Sequence, residues 1–131
     1  MYIKPITFTD YSGVERTMDF YFNISKAEVI EKELGTHGGY SNMLLKIAES
    51  KDGPLIIKTF KEFIMDAYGE RSEDGIHFNK SRELSIAFTQ TEAYSVFLEE
   101  ICTNAEAAAE FINNTLPKET IKEVVKQTKS E

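Results

Sequence analysis

At Ser25 the spacing of apolar residues changes, and that change limits the folds open to the chain. Before it, side chains alternate with period two. Ile6 and Phe8 fall on one face of a strand, Thr7 and Thr9 on the other. After DYSGVE the alternation resumes, with Met18, Phe20 and Phe22 set against Thr17, Asp19 and Tyr21. Two such runs about a Ser-Gly turn predict a β-hairpin with one buried face. Pro5 cannot donate to a ladder, so its nitrogen should face an unpaired edge.

From Ser25 onward the period is helical. SKAE (Ser25 to Glu28) reads as a capping box, followed by Ala27, Ile30 and Leu34 and by a stop at Gly35. THGG is a loop. Ser41 can cap a second helix carrying Leu44, Ile47 and Ala48. Pro54 suits the first turn of a third helix, whose stripe is Ile56, Phe60, Phe63, Ile64 and Ala67. This is the most apolar helix, the expected centre of the core, and Gly69 ends it. GERSEDGIHFNKS is polar and turn-rich, with Gly75 at a hairpin or loop tip, and Ile76 and Phe78 anchoring it. Ser81 starts a short helix through Phe88. TQTE (Thr89 to Glu92) and TNAE (Thr103 to Glu106) read as further capping boxes. They open helices with the stripes Tyr94, Phe97, Leu98, Ile101 and Ala105, Ala108, Ala109, Ile112; Leu116–Pro117 closes the last. The predicted class is α+β: an N-terminal β-hairpin packed on a mainly helical domain of about five or six helices. Residues 1–117 form the expected single domain, with the hairpin at 2–22 and the helical body at 25–117. Residues 118–131 carry a weak stripe of Ile121, Val124 and Val125. They should be a marginal helix or frayed chain unless something docks on them.

Composition narrows the function. At 131 residues, 41% hydrophobic and 28% charged, one domain can bury a core without staples. No apolar run reaches the roughly 18 residues of a membrane span, and MYIKPITFTDYSG lacks the plan of a signal peptide. One cysteine, Cys102, leaves no internal disulfide. The cytoplasm is the expected compartment. The net charge is −7; residues 118–131 hold four Lys and three Glu, so the preceding 117 carry −8. Such a body is repelled by phosphate backbones and anionic lipid, which argues against nucleic-acid and membrane partners and for a basic protein partner.

Chemistry-bearing patterns are sparse. Neither His37 nor His77 has a second His or Cys at ligand spacing. Cys102 ends a helix and reads as a small buried hydrophobe. GTHGG has no GK[ST] ending, and EDG lacks the spaced ligands of a calcium loop. Glu31, Glu33, Glu99 and Glu100 lie off the apolar stripes, as solvated helix faces do. Phe20, Phe22, Phe60, Phe63 and Phe97 fall on core faces. No catalytic residue, cofactor or metal site is expected. The alanine stripe of the last helix allows close approach, either of a neighbouring helix of the same chain or of a second chain.

The hairpin leading into FYFNISKAE, together with AYGERSEDGIHFNKS, FTQTEAYS and NAEAAAEFIN, resembles the tail assembly chaperones of long-tailed (siphovirus-type) bacteriophages of Gram-positive hosts. The resemblance spans residues 3 to 117. It implies a non-catalytic protein, encoded just before the tape-measure protein, that assembles on that long helical client before the tail tube polymerises. It also implies residence in the host cytoplasm, absence from the mature virion, and as further partners the tail tube protein and a frameshifted longer form of the chain itself. Nothing is carried onto the segment after Pro117. A structural virion component, such as a tail-completion or connector protein, is the alternative, and a small enzyme joining His37, His77 and Cys102 a third.

Physics adds two expectations. A lone hairpin is marginal in water and its unpaired edges invite another strand. Self-association into a homo-oligomer is therefore expected through Ile3, Pro5, Thr7, Thr17 and Tyr21. Client contact is expected on the outward face of the last helices, near Tyr94 and Phe111, with an acidic rim at Glu99 and Glu100.

Overall fold

The computed structural model describes residues 1–35 and 39–117. The expected hairpin is β1 (Tyr2–Thr9) and β2 (Glu15–Phe22), paired antiparallel with Ile6 opposite Met18 and Tyr2 opposite Phe22. Its turn follows from Asp10 and Gly13. The Asp10 carboxylate accepts from the N–H groups of Ser12 and Val14, each at 2.9 Å, and pairs with Arg16. Gly13 sits at φ +83°, a conformation that closes a three-residue loop and that a side chain would disfavour.

The chain continues through α1 (Lys26–Gly35), α2 (Tyr40–Glu49), α3 (Gly53–Ala67), β3 (Tyr68–Arg71), β4 (Phe78–Asn79), α4 (Arg82–Thr89), α5 (Glu92–Thr103) and α6 (Ala105–Thr115). Among the described residues this is an α+β fold with six helices, as expected. The hairpin is not alone, however. β3 pairs antiparallel with β2 (Tyr21 with Gly69, Phe22 with Tyr68) and β4 with β3, giving a four-stranded sheet in the order β1-β2-β3-β4. Part of the β2 edge is therefore covered, while β1 borders the sheet.

Gly69 is accordingly a strand residue, and α3 has already ended at Ala67. A Cβ at Gly69 would lie 2.6 Å from Phe78 Cε2 and 2.7 Å from the Asn79 carbonyl oxygen. Gly69→Ala is expected to destabilise the fold by about 1–3 kcal/mol, because one obstacle is backbone and cannot swing away. Urea unfolding measures this; a midpoint equal to that of the parent would show that β4 is not held against Gly69. Gly75 does sit at the β3–β4 tip, at φ +77°. Ile76 beside it is 75% exposed and anchors nothing, whereas Phe78 is half-buried.

The helix starts agree with sequence in part. The Ser25–Glu28 box is present: Ser25 N–H donates to Glu28 Oε1 at 3.0 Å and Glu28 N–H to Ser25 Oγ at 3.2 Å. Asp52 caps α3 through Leu55 N–H, with Pro54 in the first turn, and Ser81 caps α4 through Leu84 N–H. The other two boxes are displaced. Thr89 closes α4 with its hydroxyl on the Ile86 carbonyl, and the cap of α5 is Thr91. Thr103 likewise bonds back to Glu99, and α6 is capped by Asn104, whose oxygen accepts from Glu106 and Ala107 N–H. Thr89 and Thr103 still lie within the last turns of α4 and α5, whereas Thr91 and Asn104 have the extended backbone a cap requires, so the cap falls on them. At α2 the cap position is Gly39, with no side-chain bond, and Ser41 is buried inside the helix.

The helices clamp the inner face of the sheet around one apolar cluster. From α3 come Phe60, Phe63, Ile64 and Ala67, as expected. In α1 the buried position is Val29, while Ala27 and Ile30 are exposed. In α6 it is Ala108, Phe111, Ile112 and Thr115, which leaves Ala105 exposed and Ala109 half-buried. Met18 was expected on the buried face but is 46% exposed. Packing of α5 along β1 covers Ile6 and Phe8, and that cover does not reach this part of β2. Expectations for the THGG loop, the side chains of Glu33 and Leu34, and residues 118–131 lie outside the described residues.

Candidate interaction surfaces

Ile3, Pro5, Thr7, Thr17 and Tyr21 meet on one face. The register places Ile3 opposite Tyr21 and Thr7 opposite Thr17, on the side of the hairpin away from the helices. The two threonine hydroxyls are 2.9 Å apart, and the Arg71 guanidinium lies 5.5 Å from the centroid of the Tyr21 ring. The backbone edge is a separate matter. A bond from Asp10 N–H to the Val14 carbonyl sets the alternation of ladder pairs. Counting back from it, Pro5 opposes Asp19 in a non-bonded pair, so its nitrogen points outward. The free edge of β1 therefore lacks a donor at its centre, a common protection against edge pairing.

The four residues expected to meet a client separate. Phe111 is 0% exposed, with ring centroids 4.9 Å from Phe97, 5.0 Å from Phe63 and 5.2 Å from Phe22. It is a core residue, on the inward side of α6, and offers nothing to a partner. Tyr94 is half-buried, edge-on to Phe88 at 5.8 Å, and burial pushes its phenol pKa up. Glu100 is tied to Lys4 of β1 at 3.0 Å, so of the two glutamates Glu99 alone is fully open. Sequence reasoning missed Val96, exposed on the same helix; its place off the Phe97–Ile101 stripe was the signal.

Two clefts lie elsewhere. One of about 180 Å³ runs between α2 and α6, lined by Leu45, Ala48, Ala105 and Ala109 with Glu49 and Glu106 at its rim. The other, of about 340 Å³, is polar and includes Glu28, Asp66, Lys80 and Arg82. Lys80 is heavily engaged there, donating to both Glu28 oxygens at 2.8 and 2.7 Å and to the carbonyls of Asn23 and Asp66 at 3.0 and 2.9 Å. At the hairpin's far end Tyr11 is 76% exposed and Val14 is exposed, and Met18 lies further along β2, opposite Ile6.

A family model described as phage tail assembly chaperone matches residues 1–131. The chain belongs to that family. No curated protein and no solved structure matches it. The chaperone's work thus lies in phage tail assembly, through contacts with other proteins. Of the three side chains weighed for a catalytic role, His77 is exposed in the segment between β3 and β4, and His37 lies outside the described residues. Burial raises the Cys102 thiol pKa, which keeps it protonated and weakly nucleophilic. No described helix of the chaperone is long and apolar enough to cross a membrane.

Buried phenols give the chaperone an alkaline limit. Tyr2 is pushed up to about 12 by burial and by the nearby Glu110 and Glu100, and burial also raises Tyr40, Tyr68 and Tyr94. A phenol whose folded pKa is raised favours the folded state below its unfolded value of 10.0, and that contribution is lost as pH rises through the folded pKa. Unfolding is therefore expected above pH 10, with tyrosinate absorbance rising together with loss of circular dichroism. Full ionisation at pH 10 with the fold intact would contradict these burials.

Proposed function

We propose that the chain is a non-catalytic chaperone of the tape-measure protein in a long-tailed phage of a Gram-positive host. It holds that helical client in the host cytoplasm until the tail tube protein replaces it, and is left out of the mature virion. The observation that carries this reading is the family match over the whole of residues 1–131. Residues 1–117 act as one domain on this reading. The resemblance adds a longer, frameshifted form of the chain as a further partner.

The exposed side of α5 supports a contact surface that binds by touch. Val96 offers modest apolar area and Glu99, three residues on, an exposed carboxylate, while Tyr94 lies round the helix from them. One such contact is weak and exchangeable. Many copies along one client raise the avidity by about a hundredfold or more. That argues for self-association through the outer hairpin face carrying Ile3, Pro5, Thr7, Thr17 and Tyr21, in place of pairing along the Pro5-interrupted edge.

Co-expression with the neighbouring tape-measure gene product, followed by pulldown, is expected to yield a soluble complex that Glu99→Lys weakens. Capture by the parent that Glu99→Lys leaves unchanged would remove the acidic contact. No capture by the parent, with the chain found in purified particles instead, would make it a virion component. Sedimentation showing only monomers at high concentration would remove the self-association.

A further inference from the structure

β2 has a second edge, and only one end of it is used. β3 pairs with Tyr21 and Phe22 and then passes to β4, so the ladder to β2 stops at Gly69. The bond from Asn23 N–H to the Ala67 carbonyl, 2.9 Å, lies on the same side. Backbone groups of a strand alternate between its two sides. The series Asn23, Tyr21, Asp19, Thr17 therefore bonds outward from the hairpin, and among the described residues no strand stands beside Asp19 and Thr17. Residues Glu15 to Asp19 are all exposed. This edge lacks the protection that Pro5 gives β1. From Thr17 to Phe20 there is no proline, no lysine and no positive φ, and the pairing with β1 runs without a bulge. Met18 stands at the centre of the open stretch, on the helix-facing side opposite Ile6, and is 46% exposed.

We propose that the open edge of β2 pairs antiparallel with the same edge of a second copy, about a two-fold axis at Met18. An axis normal to the sheet keeps both outer faces on one side, so directly opposed residues share a face. Centred on Met18, the register sets Thr17 opposite Asp19 of the second copy, and Asp19 opposite its Thr17. Both residues bond outward, so each pair exchanges its N–H and carbonyl groups. The Thr17 hydroxyl, 2.9 Å from that of Thr7, gains a carboxylate acceptor. Met18 meets Met18 of the second copy in the closer, non-bonded kind of pair, which covers the apolar area that the helices leave open. Sliding the register is unfavourable in both directions. Centring it on Thr17 opposes Glu15 with Asp19, and centring it on Asp19 opposes two aspartates. Beyond Phe20 the edge is closed by β3, so the joint is short and the dimer weak and reversible. The pairing does not rest on the function proposed above and needs no client.

The test uses the full chain alone. In a Cys102→Ser background, Met18→Cys should form an intermolecular disulfide under mild oxidation. A non-bonded antiparallel pair holds its Cα atoms about 4.5 Å apart, within disulfide reach. Thr17→Cys, which faces Asp19 in this register, should cross-link far more slowly. Sedimentation over a concentration series reads the proline variants. Thr7 and Thr17 lie side by side on the outer face, in a non-bonded pair, so the N–H of each points away from the other strand and proline takes no bond from the hairpin. Thr17→Pro should abolish the dimer and Thr7→Pro should leave it, with circular dichroism of both matching the parent. Equal loss from two folded proline variants would assign association to the outer face and overturn the proposal. Should either proline unfold the chain, the cysteine variants decide. Cross-linking of Thr17→Cys as fast as that of Met18→Cys would overturn the register, and monomers at every concentration would overturn the pairing. Neither result bears on whether the chain binds the tape-measure protein.

Discussion

Phe22→Ala is expected to lower the unfolding free energy by about 3–5 kcal/mol, the usual cost of removing a buried ring. Phe22 is the last residue of β2 and is 0% exposed. Its ring lies 5.1 Å from Phe97 and 5.2 Å from Phe111, and 5.7 Å from Phe88 and 5.8 Å from Tyr68, centroid to centroid. Those partners come from α5, α6, α4 and β3, so one side chain joins the sheet to three helices. Truncation loses the transfer of the ring from water, leaves a cavity, and removes several aromatic pairs worth about 0.5–1.5 kcal/mol each. A domain of ordinary stability, about 5–15 kcal/mol, keeps little margin after such a loss. Phe22→Leu retains most of the volume and should cost less than half as much. Urea unfolding with an unchanged slope reads both. A loss under about 1 kcal/mol for Phe22→Ala would mean the sheet and the helices do not share a core.

Lys80→Met is expected to cost about 1–3 kcal/mol, in the range for hydrogen bonds to charged groups. Methionine keeps most of the stem and removes the ammonium that joins Glu28, Asn23 and Asp66. Three chain segments meet there: the end of β2, the first turn of α1 and the last turn of α3. The loss should depend on pH. Burial alone would raise the Glu28 pKa; bonds from Lys80 and from the Ser25 N–H outweigh it and hold the carboxyl below its usual 4.5. A depressed carboxyl contributes stability that is present above 4.5 and is lost as pH falls through the folded value. The gap between parent and Lys80→Met should therefore be widest above pH 4.5 and narrow in acid. In the variant the Glu28 carboxyl should titrate at higher pH, as carbon chemical shifts would show. A gap of the same size at every pH would assign the loss to packing of the Lys80 stem.

How far residues could be read in advance depended on how local their causes are. The hairpin was legible because eight-residue strands repeat their period often enough to be seen, and its turn is fixed by Asp10 and Gly13 within five residues. The Ser25–Glu28 box and the α3 stripe were legible for the same reason. β3 and β4 were not: four and two residues show no period, and β3 becomes a strand by pairing with β2 across more than forty residues of chain, with β4 then pairing on β3. Thr89 and Thr103 looked like caps because sequence cannot show that α4 and α5 run on to include them. Among the surface candidates, Glu99 is exposed, whereas Glu100 is held by Lys4 from ninety-six residues away.

Sequence by itself determined that this is a hairpin joined to capped helices with an acidic surface, since periodicity, capping and charge are carried by neighbouring residues. Tertiary structure alone decided which side of α6 is core. Phe111 and Ala105 both lie on that helix, and only the meeting of α6 with β2, α3 and α5 turns the phenylalanine inward and leaves the alanine on an open cleft. A helix has no inside until something packs against it.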